Sequence, residues 1–351
     1  MTGEDTATPA VSEEDTATAA AGSPPRVAWA WPGFARGLLY ALPGAAVALH
    51  DPGAGMALAV GVLPAAVMRM PARRRARFMT VVVGLCTGLP MVLGSLLVQV
   101  RWVAVPGVFL LAYASAVVAA RRPAGMVLLV LSLPMVGAGL SYDDVSQALG
   151  ITGLIVAGSA YAWLVSLLWP STAPPPGPPG PAHSAEQARM YGLRLGAAGA
   201  AAAGCGLALA PTHPGWPVVA ALMVMRPRPQ MQRLRSFGRV LSVLAGGAVA
   251  LLLLRNDAPD WAYAVTAAAT LALAAATQGS RWYLTPAYST VLVLLLLLHA
   301  EPDQARARAD ERLWATVAGV ALAYLFGLLL PRILRLPAVS RLLGAPGRGS
   351  G

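Results

Sequence analysis

Between residues 34 and 334 the chain is almost entirely a succession of apolar segments, at about 34–50, 53–70, 78–99, 102–120, 123–140, 146–169, 190–210, 214–225, 236–254, 260–278, 281–299 and 313–334. A helix crosses roughly 30 Å of hydrocarbon with about 20 apolar residues. Backbone groups in lipid have no water to bond, and the segments lack the period-two alternation of a barrel, so each reads as a helix. With 57% hydrophobic and 12% charged residues, the chain has about half the charge that covers a soluble domain. The expected fold class is an all-α polytopic membrane protein of about 12 transmembrane helices.

The charges that remain are unusual in kind. All 26 basic residues are arginine, and there is no lysine. That excludes a P-loop phosphate site and Schiff-base chemistry, both of which need lysine. Cys86 and Cys205 lie in apolar runs and offer neither a disulfide framework nor a zinc site, so no metal or cofactor is expected. With the N-terminus inside, 21 arginines fall on the cytoplasmic side and 5 (Arg101, Arg255, Arg306, Arg308 and Arg312) on the other. This is the positive-inside bias. It predicts a multi-pass protein of the cytoplasmic (plasma) membrane with both termini cytoplasmic, and it explains a pI of about 10.6 without nucleic acid.

Two blocks of six segments repeat at a nearly fixed offset. Pro52-Gly53 recurs as Pro214-Gly215, and Arg77, seven residues before Gly84, recurs as Arg239, seven before Gly246. Pro170 and Pro331 end the two blocks, and arginine clusters fill the loops 69–77 and 226–239. An even number of spans per block makes the two six-helix repeats parallel-oriented, related by an axis along the membrane normal. The expected organisation is a disordered acidic tail (1–33) without a cleaved signal, a first repeat (34–169), a proline-rich cytoplasmic linker (170–189), a second repeat (190–335) and a basic tail (336–351).

Short or broken spans at matching places in two repeats point to a transport site. The eighth segment, from Pro214 to Arg226, is too short to cross alone, and Pro64 is expected to break the second, which opens Asp51-Pro52-Gly53. Trp216 stands beside the short span, whereas most other tryptophans fall at interfaces. No carboxylate lies at membrane depth: the acids occupy the tail, the linker and the outer ends of spans. A deep carboxylate relay is therefore disfavoured, leaving His50, Asp51 and His213 as candidates for proton linkage. Arg77 and Arg239 are candidates for drawing carboxylates from the cytoplasm, against the plainer role of fixing topology. Asp143-Asp144 reads as a solvated turn rather than half of a metal site.

Trp216-Pro217 at a span entry, the loop from Arg226-Pro227 to Arg235, and Arg239-Val240-Leu241 leading to Gly246 resemble the fusaric-acid-resistance (FUSC) family, or aromatic acid exporters. Arg312-Leu313-Trp314-Ala315-Thr316-Val317-Ala318-Gly319 is similar to the entry of that family's final helix. The resemblance covers 210–335 well and 34–170 as a degenerate copy. Ser242-Val243 replaces the Gly-Thr that follows the family's arginine, and the proline linker stands where many members carry a large domain. The resemblance implies an exporter of aromatic or other hydrophobic carboxylates, not an enzyme. Taken together, the short spans, the inner arginines and the family-like segments make Pro52, Gly53, Pro64, Arg77, Pro214, Gly215, Trp216, Arg239, Arg312 and Thr316 candidates along the pathway. Membrane lipids and a small organic anion are the expected partners, in a homo-oligomer or a pseudo-dimer within one chain. The alternatives are an accessory membrane subunit without its own substrate and a membrane enzyme acting on a lipid or polyprenyl substrate.

Overall fold

A computed structural model describes residues 28–68, 70–71, 73–121, 125, 128–170, 184–209, 212–256, 258–278, 284–299 and 305–333. The expected tails and linker fall largely outside the described residues. Each apolar segment yields one helix: α1 Trp31–Ala48, α2 Pro52–Val67, α3 Met79–Val98, α4 Arg101–Arg121, α5 Leu133–Gly139, α6 Val145–Leu168, α7 Ala185–Leu209, α8 Trp216–Val224, α9 Pro229–Arg255, α10 Asp260–Ala276, α11 Leu284–His299 and α12 Ala305–Tyr324. A 3₁₀ turn, Arg74–Phe78, leads into α3, and a π turn, Leu128–Ser132, leads into α5. A second π turn, Leu325–Leu329, carries α12 on into the short α13, Leu330–Ile333. No strand occurs among the described residues.

The helix starts follow local chemistry. Asp51 caps α2, its carboxylate accepting from the Ala54 N–H at 2.9 Å, and Asp144 caps α6 through the Ser146 N–H at 2.8 Å. Hydrogen bonds to Ser146 hold the Asp144 carboxyl below its ordinary pKa. Several elements differ from expectation, α12 starting at Ala305 rather than 313 and α7 at Ala185 rather than 190, and two of the differences have a local cause. Pro64 lies inside α2 without breaking it, because the Met68 N–H still reaches the Pro64 carbonyl at 2.9 Å and completes another turn. α9 begins at Pro229, well before the expected 236, since proline is tolerated in a first turn and Gln, Met, Arg and Leu then favour helix. The arginines from Arg233 to Arg239 are therefore helical rather than in a loop.

Packing crosses the boundary between the blocks. The two most extensive pairings are α1 with α10 and α4 with α7, and α2 also meets α11 as α5 meets α8. One core joins Tyr40, Met56 and Leu63 to Leu271 and Leu292, and the other joins Val108 and Leu133 to Leu195 and Leu222. Each thus mixes residues from both blocks. At the α5–α8 contact a side chain on Gly215 would overlap the Gly137 carbonyl oxygen, so only glycine permits that approach.

Among the described residues, six helices are long and apolar enough to cross a membrane, at Arg74–Val98, Arg101–Arg121, Val145–Leu168, Ala185–Leu209, Gln230–Leu253 and Asp310–Ile333. The bundle exposes Trp102, Leu168, Leu209 and Phe237, a surface suited to lipid rather than water.

Candidate anion site between α8, α9, α11 and α12

The nine residues of α8 span only about 14 Å at 1.5 Å each, too little to cross a bilayer alone. At its N-terminal end Trp216 is buried, and the His213 imidazole stacks on it, with ring centres 4.0 Å apart. The Arg312 guanidinium of α12 lies 4.9 Å from the centre of the same indole, in cation–π contact. Arg308, Glu311 and Arg312 share a helix face by their spacing of three and four residues. Arg308 Nη1 is 3.3 Å from Glu311 Oε2, and His213 Nδ1 approaches that carboxylate oxygen at 3.2 Å and Arg308 Nη1 at 3.3 Å. Glu311 is thus already shared between an imidazole and a guanidinium.

Arg239 enters from α9, within the span Gln230–Leu253. Its Nη1 donates to Thr290 Oγ1 of α11 at 3.1 Å, and the Thr290 hydroxyl donates in turn to Ser242 Oγ at 3.4 Å. Gly246, two turns further along the same face, admits Thr290 closely: a Cβ there would lie 3.0 Å from the Thr290 methyl. Arg239 is near enough for its charge to act on Arg312. Both guanidiniums are buried, and the Nε of each lacks a hydrogen-bond partner. No carboxylate pairs with Arg239 among the described residues. Burying a charge unpaired costs several kcal/mol, and an anion placed beside Arg239 offsets that cost, whereas Arg312 already lies within reach of the Glu311 charge.

The other candidate residues have different surroundings. Arg77 is fully buried in the 3₁₀ turn before α3. Its Nε donates to the Pro71 carbonyl at 3.1 Å, and its Nη1 donates to the Ser166 carbonyl and, at 2.9 Å, to the Trp169 carbonyl, closing the C-terminal end of α6. Arg226 likewise donates to the Met225 carbonyl at 2.6 Å, at the end of α8. Burial pulls its pKa down, opposed by Tyr191. Thr316 donates to the Arg312 carbonyl at 2.8 Å on its own helix. His50 is exposed, Asp51 is engaged in its cap, and Pro52 and Gly53 open α2. The structure therefore gathers Pro214, Gly215, Trp216, His213, Arg239, Arg312 and Thr316 around the start of α8 and the facing helices. Pro64 and Arg77 belong to a separate part of the bundle.

Sequence reading missed Thr290, Ser242 and Glu311. Ser242 carried a usable signal, one turn after Arg239 on the same face, but nothing local marks Thr290 within Pro286-Ala287-Tyr288-Ser289-Thr290. Its role follows from which helix covers α9.

An all-helical bundle with a lipid-type exterior and buried guanidiniums defines a membrane protein with charge in its interior. Residues 191–336 are similar to the family described as fusaric acid resistance protein-like. The match covers α8 through α12 and every residue of the guanidinium site. No curated protein and no solved structure matches the chain.

Proposed function

We propose that the protein is a membrane transporter that exports an organic anion, of the aromatic or hydrophobic carboxylate class, across the cytoplasmic membrane. The observation that carries this reading is the pair of buried arginines, Arg239 and Arg312, each with an unpartnered Nε. Cationic groups inside a membrane mark ion pathways, and guanidinium matches carboxylate in both charge and shape. The short α8 would deliver the anion to the pair, with Trp216 fixing the Arg312 guanidinium. The reciprocal pairing of α1 with α10 and of α4 with α7 supports two parallel six-helix repeats forming a pseudo-dimer around one path. The family's name and the arginine bias support export, with both termini in the cytoplasm.

The test is efflux of a radiolabelled aromatic carboxylate from protein-containing vesicles. Arg239→Gln and Arg312→Gln are each expected to slow it about tenfold or more, the scale of a lost charge-assisted hydrogen bond. Unchanged rates in both variants, or equal transport of the neutral alcohol analogue, would overturn the reading.

A further inference from the structure

Where α4 ends and α7 begins, the seam between the two blocks opens. Deeper in, the helices touch closely, for a side chain on Gly192 would press on Tyr113 and one on Gly196 on Phe109. At the end they part around a crevice of about 120 Å³, walled by Val117, Ala120, Arg121, Ala185, Ala188 and Arg189. A water molecule takes about 30 Å³ of the liquid, so the space equals about four waters and suits a tetrahedral phosphate. Both arginines are exposed. No acidic side chain lines the crevice, and no carboxylate pairs with either guanidinium among the described residues. The helices run antiparallel, so the carbonyl end of α4 offsets the N–H end of α7. The positive field therefore comes from the two guanidiniums. Both helices belong to spans, Arg101–Arg121 and Ala185–Leu209, which puts the crevice at a water boundary of the bilayer. Val118 and Leu110, about one and three turns before Arg121, share its face of α4, and Leu193 follows Arg189 by one turn. All three are exposed, so apolar faces lead from the crevice towards the hydrocarbon.

We infer that this crevice binds the phosphodiester of an anionic phospholipid. The phosphate oxygens accept from Arg121 and Arg189, and the acyl chains lie along Leu110, Val118 and Leu193. A guanidinium matches phosphate in charge and in the spacing of its donors, and basic pockets between spans hold lipid headgroups in this way. An amphipathic ligand uses both the guanidiniums and the apolar faces, whereas a soluble anion would leave the faces bare. The bound lipid ties the first block to the second at their seam. The site shares no residue with the Arg239–Arg312 pair and does not rest on the transport reading.

Titration of the delipidated full-length protein in detergent with dioleoylphosphatidylglycerol, read by native mass spectrometry, tests this. One saturable lipid is expected, held about tenfold more tightly than dioleoylphosphatidylcholine, whose headgroup carries no net charge. Arg121→Gln and Arg189→Gln each weaken it about tenfold, the effect of losing a charge-assisted hydrogen bond. Ala120→Leu fills the crevice and removes the lipid with both arginines in place. Arg75→Gln, which changes an equally exposed arginine outside the crevice, leaves binding unaltered. Unchanged affinity in both crevice glutamine variants would overturn the inference, as would an equal loss in Arg75→Gln, which would mean general surface charge. Displacement by an equal concentration of inorganic phosphate would also overturn it, assigning the arginines to a soluble anion. Loss of efflux in Arg239→Gln with lipid binding intact bears on the proposed function and leaves this site standing.

Discussion

Arg77 and Arg239 hold the same place in the sequence pattern, each seven residues ahead of a glycine, yet their surroundings differ in kind. Seven residues are about two helical turns, so arginine and glycine share one face in both blocks. In the first block that face lies against α6: Arg77 closes the end of α6, and Gly84 abuts Ser159. In the second it lies against α11, where Arg239 meets the Thr290 hydroxyl and Gly246 the Thr290 methyl. A sequence motif thus sets a helix face but not the neighbour that covers it. The proline position accounts for part of the difference. Pro229 opens α9 ten residues before Arg239 and draws it into the helix, whereas Pro71 is followed by a turn that keeps Arg77 outside α3. One arginine completes backbone hydrogen bonding, and the other remains a buried charge with a single hydroxyl partner.

Methionine substitutions test this contrast most severely, because the two should change stability in opposite directions. Arg77→Met leaves the Pro71, Ser166 and Trp169 carbonyls without their donor and is expected to lower stability by about 3 kcal/mol. Arg239→Met replaces an unpaired buried charge by an apolar side chain of similar length. Such replacements are neutral or stabilising by about 1–4 kcal/mol, so thermal unfolding in detergent should be unchanged or improved while anion efflux is lost. Equal destabilisation by both would mean that Arg239 is as much a structural brace as Arg77.

A smaller effect belongs to Trp216. Trp216→Leu removes the surface against which both His213 and Arg312 are held. A desolvated cation–π contact is worth about 2 kcal/mol, so anion affinity should fall roughly tenfold or somewhat more, without the collapse expected of Arg239→Met. First-block residues offer a control: Trp163, which meets Phe78 edge-on at 5.6 Å, has no cation–π contact with an arginine among the described residues. If Trp163→Leu impaired transport as strongly as Trp216→Leu, the functional asymmetry between the blocks would fail.

The all-helical character was legible because lipid leaves the backbone no alternative, and the short α8 was legible because Pro214 and Arg226 bracket it. Trp216 stood out by position, and Arg239 and Arg312 by their place in family-like segments. What the sequence could not convey was partnership. Thr290, Glu311 and Arg308 reach the site only through the packing of α11 against α9 and of α12 against α8. Those contacts are fixed by side-chain shape across helices, not by local composition. The same reason hid the interleaving of the blocks: hydropathy locates spans along the chain and is blind to which span lies beside which. The fate of Pro64 was obscure for a different cause, since a proline near a helix end disturbs few hydrogen bonds and the last turn of α2 still forms.

The offset that aligns Pro52-Gly53 with Pro214-Gly215 also aligns Asp51 with His213, and this pair carries the finest form of the comparison. Asp51 is exposed and caps α2, its carboxylate held by a single backbone N–H. His213 makes no cap for α8, which starts later, from Gly215; it turns instead towards Glu311, Arg308 and the Trp216 ring. Asp51→Ala should therefore cost about 1 kcal/mol of stability, the typical worth of an N-cap, and leave efflux unaltered. His213→Asp makes the two blocks alike at this position and places a second carboxylate beside Glu311. That carboxylate would compete with a substrate anion for Arg308 and Arg312, so efflux should fall several-fold with little change in unfolding temperature. A transport defect in Asp51→Ala, or none in His213→Asp, would show that the mouth of α8 is no more specialised than the start of α2.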